Sequence, residues 1–233
     1  GDQNHARIIR ARIHKKDIIA LNLDSREKEI MAIPGVPFEV TVERLIGPDS
    51  PLVMPPRYLD EYRKGIEQIR RLYKLHRKNG RGHGQLHSAR VLFLALAIIQ
   101  ARNIKLNLTE RMQLLTAIVF HDIGRRNDGA DDSHGKASRE VYENNAGSSA
   151  DPAVCFLIEY HCLADDLAEE YLKVSDVIRA KKRTWLLYQI LKDADALDRV
   201  RFGIYDLAVN QLRLSTTHKL LPLAVTTVTG LKI

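Results

Sequence analysis

Apolar residues change their spacing along this chain, and the change near residue 57 divides it. From Ala6 to about Leu45 they form short runs with many β-branched side chains, as in Ile18-Ile19-Ala20-Leu21-Asn22-Leu23 and Val36-Pro37-Phe38-Glu39-Val40-Thr41-Val42. Such runs, parted by turn residues such as Pro34-Gly35, predict two or three strands of a small sheet with a hairpin at the Pro-Gly step. Gly47-Pro48-Asp49-Ser50-Pro51 through Pro55-Pro56 is a breaker-rich linker.

Beyond it the spacing turns helical. Tyr62, Ile66, Ile69, Leu72 and Tyr73 recur at intervals of three and four, which predicts a helix over 58–78 that ends in the loop Lys78-Asn79-Gly80-Arg81-Gly82. Gln85 to Ala101 is apolar around most of its circumference, as a central helix must be. Asn107-Leu108-Thr109-Glu110 opens the next helix, and a polar loop runs from Asn127 to Ser133. Further helices are predicted over 136–145, 152–163, 184–201 and 204–214. The tail Leu221 to Ile233, with Val225-Thr226-Thr227-Val228-Thr229, reads as a strand that could pair with the N-terminal sheet. No repeat or low-complexity segment interrupts this order. The expected organisation is a β-rich appendage and linker at 1–50, a helical domain at 57–215 and a strand-like tail at 216–233.

Length and composition bound the partners. A chain of 233 residues that is 45% hydrophobic supports one sizeable core. Lys+Arg 36 against Asp+Glu 29 leaves a formal charge of +7, which favours an anionic partner. The longest apolar stretch, Val91 to Ile99, is far short of the roughly 20 residues of a membrane span, so the expected protein is soluble with no membrane partner. The two cysteines, Cys155 and Cys162, form no CxxC pair and read as buried free thiols. With no signal peptide visible, a reducing, cytoplasmic setting is expected. A start at Gly1 suggests excision from a longer protein. The basic run Arg179-Ala180-Lys181-Lys182-Arg183 lacks interleaved aromatics, which argues against nucleic acid and for a solvated helix start. The sequence leaves a homo-oligomer open.

Chemistry is concentrated at His121-Asp122, an imidazole and a carboxylate at the end of an apolar helical run just before Gly124. Rigid, buried backbone delivers both as metal ligands. His83, His87, His134 and His161 also lie at predicted helix ends or beside loops, and such ends can converge in a bundle. A partner carboxylate is expected in Asp193-Ala194-Asp195-Ala196-Leu197-Asp198, because an acid in an apolar helix must be paired, hydrogen-bonded or metal-bound. Asp193 and Asp195 point about 200° apart on a helix, so one of them enters the site. Asp198 has no role that the spacing assigns.

The order His87, His121-Asp122 and then Asp195 within Ala194-Asp195-Ala196-Leu197 resembles the HD-domain superfamily of metal-dependent phosphohydrolases, over roughly residues 60–205. The resemblance implies a mostly α fold, an HD-domain helical bundle, with the small N-terminal β appendage outside it. It implies His87, His121, Asp122 and Asp195 as ligands of one divalent metal. In two-metal members a histidine shortly after the His-Asp motif and another near the end of the next helix complete the set. His134 and His161 stand there, which makes Asp122 a bridge. Imidazole and carboxylate ligands suit manganese, iron, magnesium, nickel, cobalt or zinc alike. The metal would lower the pKa of bound water for attack at phosphorus. Asp122 is thus a catalytic candidate. Lys136 is a second, and with Arg125, Arg126 and Arg139 it is also expected to clamp the phosphate of a small phosphorylated or nucleotide-like substrate.

The string His83-Gly84-Gln85-Leu86-His87-Ser88-Ala89-Arg90 is similar to the His-Gly-x-x-His-x-x-Arg signature of SidE-type effector phosphodiesterase domains. That resemblance implies metal-free phosphodiester chemistry with His83 as the catalytic histidine. A third expectation is a non-catalytic nucleotide-binding HD module, against which the complete ligand set argues.

Overall fold

The computed structural model describes residues 37–76, 84–126, 131–203, 206–207 and 209–229. Among these residues there are nine α-helices and no strand: α1 (Phe38–Ile46), α2 (Pro56–Leu75), α3 (Gln85–Ala101), α4 (Leu108–Phe120), α5 (His134–Ala146), α6 (Pro152–Tyr160), α7 (Asp165–Val174), α8 (Lys181–Asp198) and α9 (Leu221–Thr229).

α3 is the axis of the bundle. Every residue from His87 to Ile99 is buried, so the helix has no solvent face and must be enclosed by its neighbours. α2 and α8 pack along it, and α4 closes another side. α2 starts with Pro56 at its first position, where the fixed φ suits a helix and no N–H is missed. Its Tyr62, Ile66 and Ile69 form the stripe that faces α3. α4 is started by a reciprocal cap: Glu110 N–H donates to Asn107 Oδ1 and Asn107 N–H to Glu110 Oε2, both at 2.9 Å. Arg183 of α8 grips the same Glu110 with Nε and Nη2 at 2.6 and 2.7 Å, which fastens the start of α8 to that of α4.

Three sequence expectations are corrected. The strand expected at Val36–Val42 is helical from Phe38 onward, because Phe38, Thr41 with Val42, and Leu45 recur at helical spacing and bury one side of α1. The strand-like tail is α9, packed on α8, and the hydroxyls of its threonines bond back to the helix backbone. Thr226 and Thr229 donate to the carbonyls of Pro222 and Val225, four residues back, each at 3.0 Å. In place of a helix over 204–214, the described residues of this span contain no α-helix, and Val209–Gln211 is a 3-10 turn. α7 was not foreseen: Ala168 and Leu172 are its only buried residues, too sparse a stripe to stand out. The run Ile18–Leu23 and the Pro34-Gly35 hairpin lie outside the described residues.

Candidate metal centre

Helix ends build this site. α4 stops at Phe120, yet His121 N–H still donates to Ala117 O at 2.8 Å, so His121 and Asp122 leave the last turn from fixed backbone. Both are buried. Around them gather His87 from the first turn of α3, His134 at the start of α5, His161 just after α6, and Asp195 from the last turn of α8.

The four imidazoles share one orientation. His121 Nδ1 donates to Ile118 O at 2.7 Å, His161 Nδ1 to Ile158 O at 2.6 Å, His87 Nδ1 to Asp198 Oδ2 at 2.7 Å, and His134 Nδ1 to Asp131 O. Each ring is thereby held in the tautomer that turns Nε2 inward. The inward nitrogens form two pairs, His87 with His121 at 3.1 Å and His134 with His161 at 3.0 Å. Asp122 stands between the pairs and divides its oxygens: Oδ2 lies 3.4 and 3.7 Å from the first pair, Oδ1 3.1 and 3.5 Å from the second. Asp195 Oδ1 is 3.2 Å from His87 Nε2. Asp193 is turned away, accepting from the Arg213 and Leu214 N–H groups at 2.8 and 2.9 Å, as the angle between the two acids requires.

Electrostatics follow from this crowding. Burial and the Arg201 charge depress His87, but Asp122, Asp195 and Asp198 outweigh them and raise it to about 9. Burial depresses His134 too, and its hydrogen bond to Asp122 helps carry it to about 10. His121 is pushed down to about 4, chiefly by burial. Burial opposes ionisation of Asp122, yet His121, His134, His161 and His87 hold its carboxyl well below the usual range. His87 thus holds the proton that lies between it and His121, at a point where a cation also fits. The donors suit a divalent metal: buried, convergent, and oriented by fixed acceptors behind them.

Asp198, to which the sequence assigned no role, is one of those acceptors. Its carboxylate takes Arg90 Nε at 2.5 Å and Nη2 at 3.1 Å, Arg201 Nη1 at 3.1 Å, and His87 Nδ1. Burial disfavours its charge, but Arg90 and Arg201 keep it ionised far below the ordinary range. The available signal was its spacing: Asp198 is one turn after Asp195 and three residues before Arg201, on one helical face.

A cavity of about 500 Å³ opens over the site. Asp122, His134, His161 and Asp195 are at its floor, and Arg125 lines it. Arg126 and Lys136 are exposed and Arg139 is tied to Glu143 and Glu159, and none of these three lines it. Their place is taken by cations that sequence reasoning missed, Lys192, Arg199, Arg201 and Arg213. Cys162, expected to be buried, is only half-buried and stands in the cavity wall, whereas Cys155 is buried beside Glu143. His83 lies outside the described residues.

Two glycines bring α5 this close. A Cβ on Gly135 would meet Glu159 O at 2.3 Å, and one on Gly124 would meet Ser138 N at 2.3 Å and Ala137 C at 2.5 Å. Both obstacles include backbone, which cannot rotate aside. Gly124→Ala should therefore push α5, with His134, away from Asp122. Overpacking of this kind costs about 1–3 kcal/mol, which thermal denaturation reads as a Tm lower by roughly 2–10 °C. An unchanged Tm would show that α5 is not held by this contact.

The model of one protein family, described as HD domain, matches residues 85–200. No curated protein and no solved structure matches the chain. The matched span runs from the start of α3 to just past α8 and includes every side chain that contributes to the two imidazole pairs.

Proposed function

Because the chain carries an HD domain and with it belongs to the HD-domain superfamily of metal-dependent phosphohydrolases, we propose that it hydrolyses a phosphomonoester or phosphodiester bond in a small phosphorylated or nucleotide-like substrate. HD domains bind divalent metals and are in general metal-dependent hydrolases. The observation that carries the finer reading is the division of Asp122: one carboxylate with each oxygen facing its own imidazole pair is the arrangement of a bridging ligand. His87, His121, Asp122 and Asp195 would hold one ion, and Asp122, His134 and His161 a second. When bound, such ions lower the pKa of a water and neutralise phosphoryl oxygens.

The chain's own residues do the rest. Arg125 Nη1, 3.9 Å from Asp122 Oδ1, brings a guanidinium to the edge of the site, where a phosphate oxygen can be gripped. Lys192, Arg199 and Arg213 extend positive charge along the cavity. They draw an anionic substrate in and orient it. The cavity volume suits a ligand of nucleotide size. The test is hydrolysis of a panel of nucleotides and phosphodiesters by protein reconstituted with divalent metals. The expected result is turnover of at least one substrate, lost on chelation; no hydrolysis with any metal would overturn the reading.

Metal loading should depend on pH in a defined sense. In the metal-free protein His87, near 9, and His134, near 10, both hold protons at pH 7, so binding must expel two. His121, near 4, is already neutral and offers no competition. One proton leaves at each position, so apparent affinity should rise by roughly tenfold per pH unit for each ion from pH 7, levelling off above about 9 at the His87 position and above about 10 at the His134 position. Competition with a chelator at two pH values measures the slope; affinity that falls or stays flat with rising pH would contradict it.

A further inference from the structure

We infer that Cys162 is a thiolate ligand of the second ion, so that the two positions about Asp122 select different metals. The inference rests on the two-ion reading of the site and adds a donor to it. Sγ of Cys162 and one ring nitrogen each of His134 and His161 lie within 4.8 Å of one another, a separation that one ion can span. Ligands on a tetrahedral zinc stand roughly 3–4 Å apart, given metal–nitrogen bonds near 2.1 Å and metal–sulfur bonds near 2.3 Å. The His87, His121 and Asp122 group has no sulfur.

The backbone holds the thiol in place. Cys162 follows His161 in the turn after α6, and its Sγ makes weak contacts with backbone carbonyls, 3.4 Å from Asp132 O and 3.7 Å from Glu159 O. Gly135 lets the start of α5 press against this turn: a Cβ there would meet Cys162 Sγ at 2.8 Å. His134 and Cys162 therefore reach the same space from two segments fixed against each other. The other thiol, Cys155, points to Glu143 Oε1 at 3.6 Å and is not part of this group.

Sulfur changes which ion is preferred. A thiolate is a soft ligand that favours zinc, cobalt or iron over magnesium and manganese, whereas the histidine and carboxylate position has no such bias. As the metal–sulfur bond forms, the S–H proton leaves to solvent, and the bound sulfur remains as thiolate.

Cobalt(II) titration of the chelator-treated chain reads this without any assay of turnover. The wild type and Cys155→Ser should both show visible cobalt bands together with a near-ultraviolet sulfur-to-cobalt charge-transfer band. Cys162→Ser should lose the charge-transfer band and keep the visible bands of cobalt held by the histidines. Visible bands without a charge-transfer band in the wild type would overturn the inference and leave the two-ion reading standing, as would a band that survives in Cys162→Ser. No cobalt spectrum at all in the wild type would overturn both. Alkylation of Cys162 supplies a second measurement should the variant fold poorly: zinc should protect this thiol in the wild type and magnesium should not, and equal reactivity in both would also overturn the inference.

Discussion

Asp122→Asn is expected to abolish turnover and strip the ions from the protein while leaving the helical fold in place. The amide keeps the volume and one oxygen of the carboxylate, so packing around α4 and α5 is little disturbed. What it lacks is the charge that faces both imidazole pairs, at 3.4 and 3.7 Å through one oxygen and 3.1 and 3.5 Å through the other. Removing a hydrogen-bond partner behind a ligand costs roughly 10–100-fold in affinity or activity. A residue that faces both positions directly should exceed that range, and phosphate release should fall to the rate of the uncatalysed reaction. Circular dichroism and metal analysis of the same sample separate lost chemistry from lost fold. Activity that survives in Asp122→Ala and disappears in His83→Ala would instead transfer the chemistry to His83 and a metal-free route. Nucleotide-induced thermal stabilisation without turnover, insensitive to chelator, would favour a binding module.

The second large effect is expected at Asp198, which touches no substrate. Its carboxylate lies between Arg90 and Arg201, all three are buried, and its Oδ2 also orients His87. Asp198→Ala leaves two guanidinium groups facing each other with the carboxylate gone. Breaking a buried ion pair from one side costs about 3–5 kcal/mol, a large part of the roughly 5–15 kcal/mol that holds a domain together. Asp198→Asn keeps an acceptor for His87 and should lose less stability. It should still bind metal roughly 10–100-fold more weakly, because the imidazole is backed by an amide where a charge stood. Urea denaturation in chelator isolates the first effect and metal titration the second. A stable Asp198→Ala with wild-type metal affinity would show that the cluster is decorative.

Asp198 also marks where the sequence stopped being legible. The helices that carry the site were readable because each has a strong local signal: the apolar run of α3, the Asn107 and Glu110 cap of α4, and Pro152 at the start of α6. The order of His87, His121-Asp122 and Asp195 pointed to the HD family, to which the chain belongs. What failed depended on tertiary context. α1 and α9 contain β-branched runs whose strand preference is overridden by burial of one helical face, and threonine hydroxyls that bond back to the helix ease the fit in α9. The cavity cations failed for a similar reason. Arg126, Lys136 and Arg139 are close to the motif in sequence, but the turn after α4 and the rotation of α5 direct them elsewhere. Lys192 and Arg213, far from the motif in the chain, come to the cavity through α8 and the segment after it. Half-exposure of Cys162 likewise depends on where α6 ends.

Metal stoichiometry decides the central claim most directly. Elemental analysis of the wild-type chain, reconstituted at pH 8 and freed of loosely bound ions, should find two divalent ions per chain and fewer than one in Asp122→Asn. A wild type that retains none, or an Asp122→Asn variant that retains as many as the wild type, would contradict a site organised around this carboxylate.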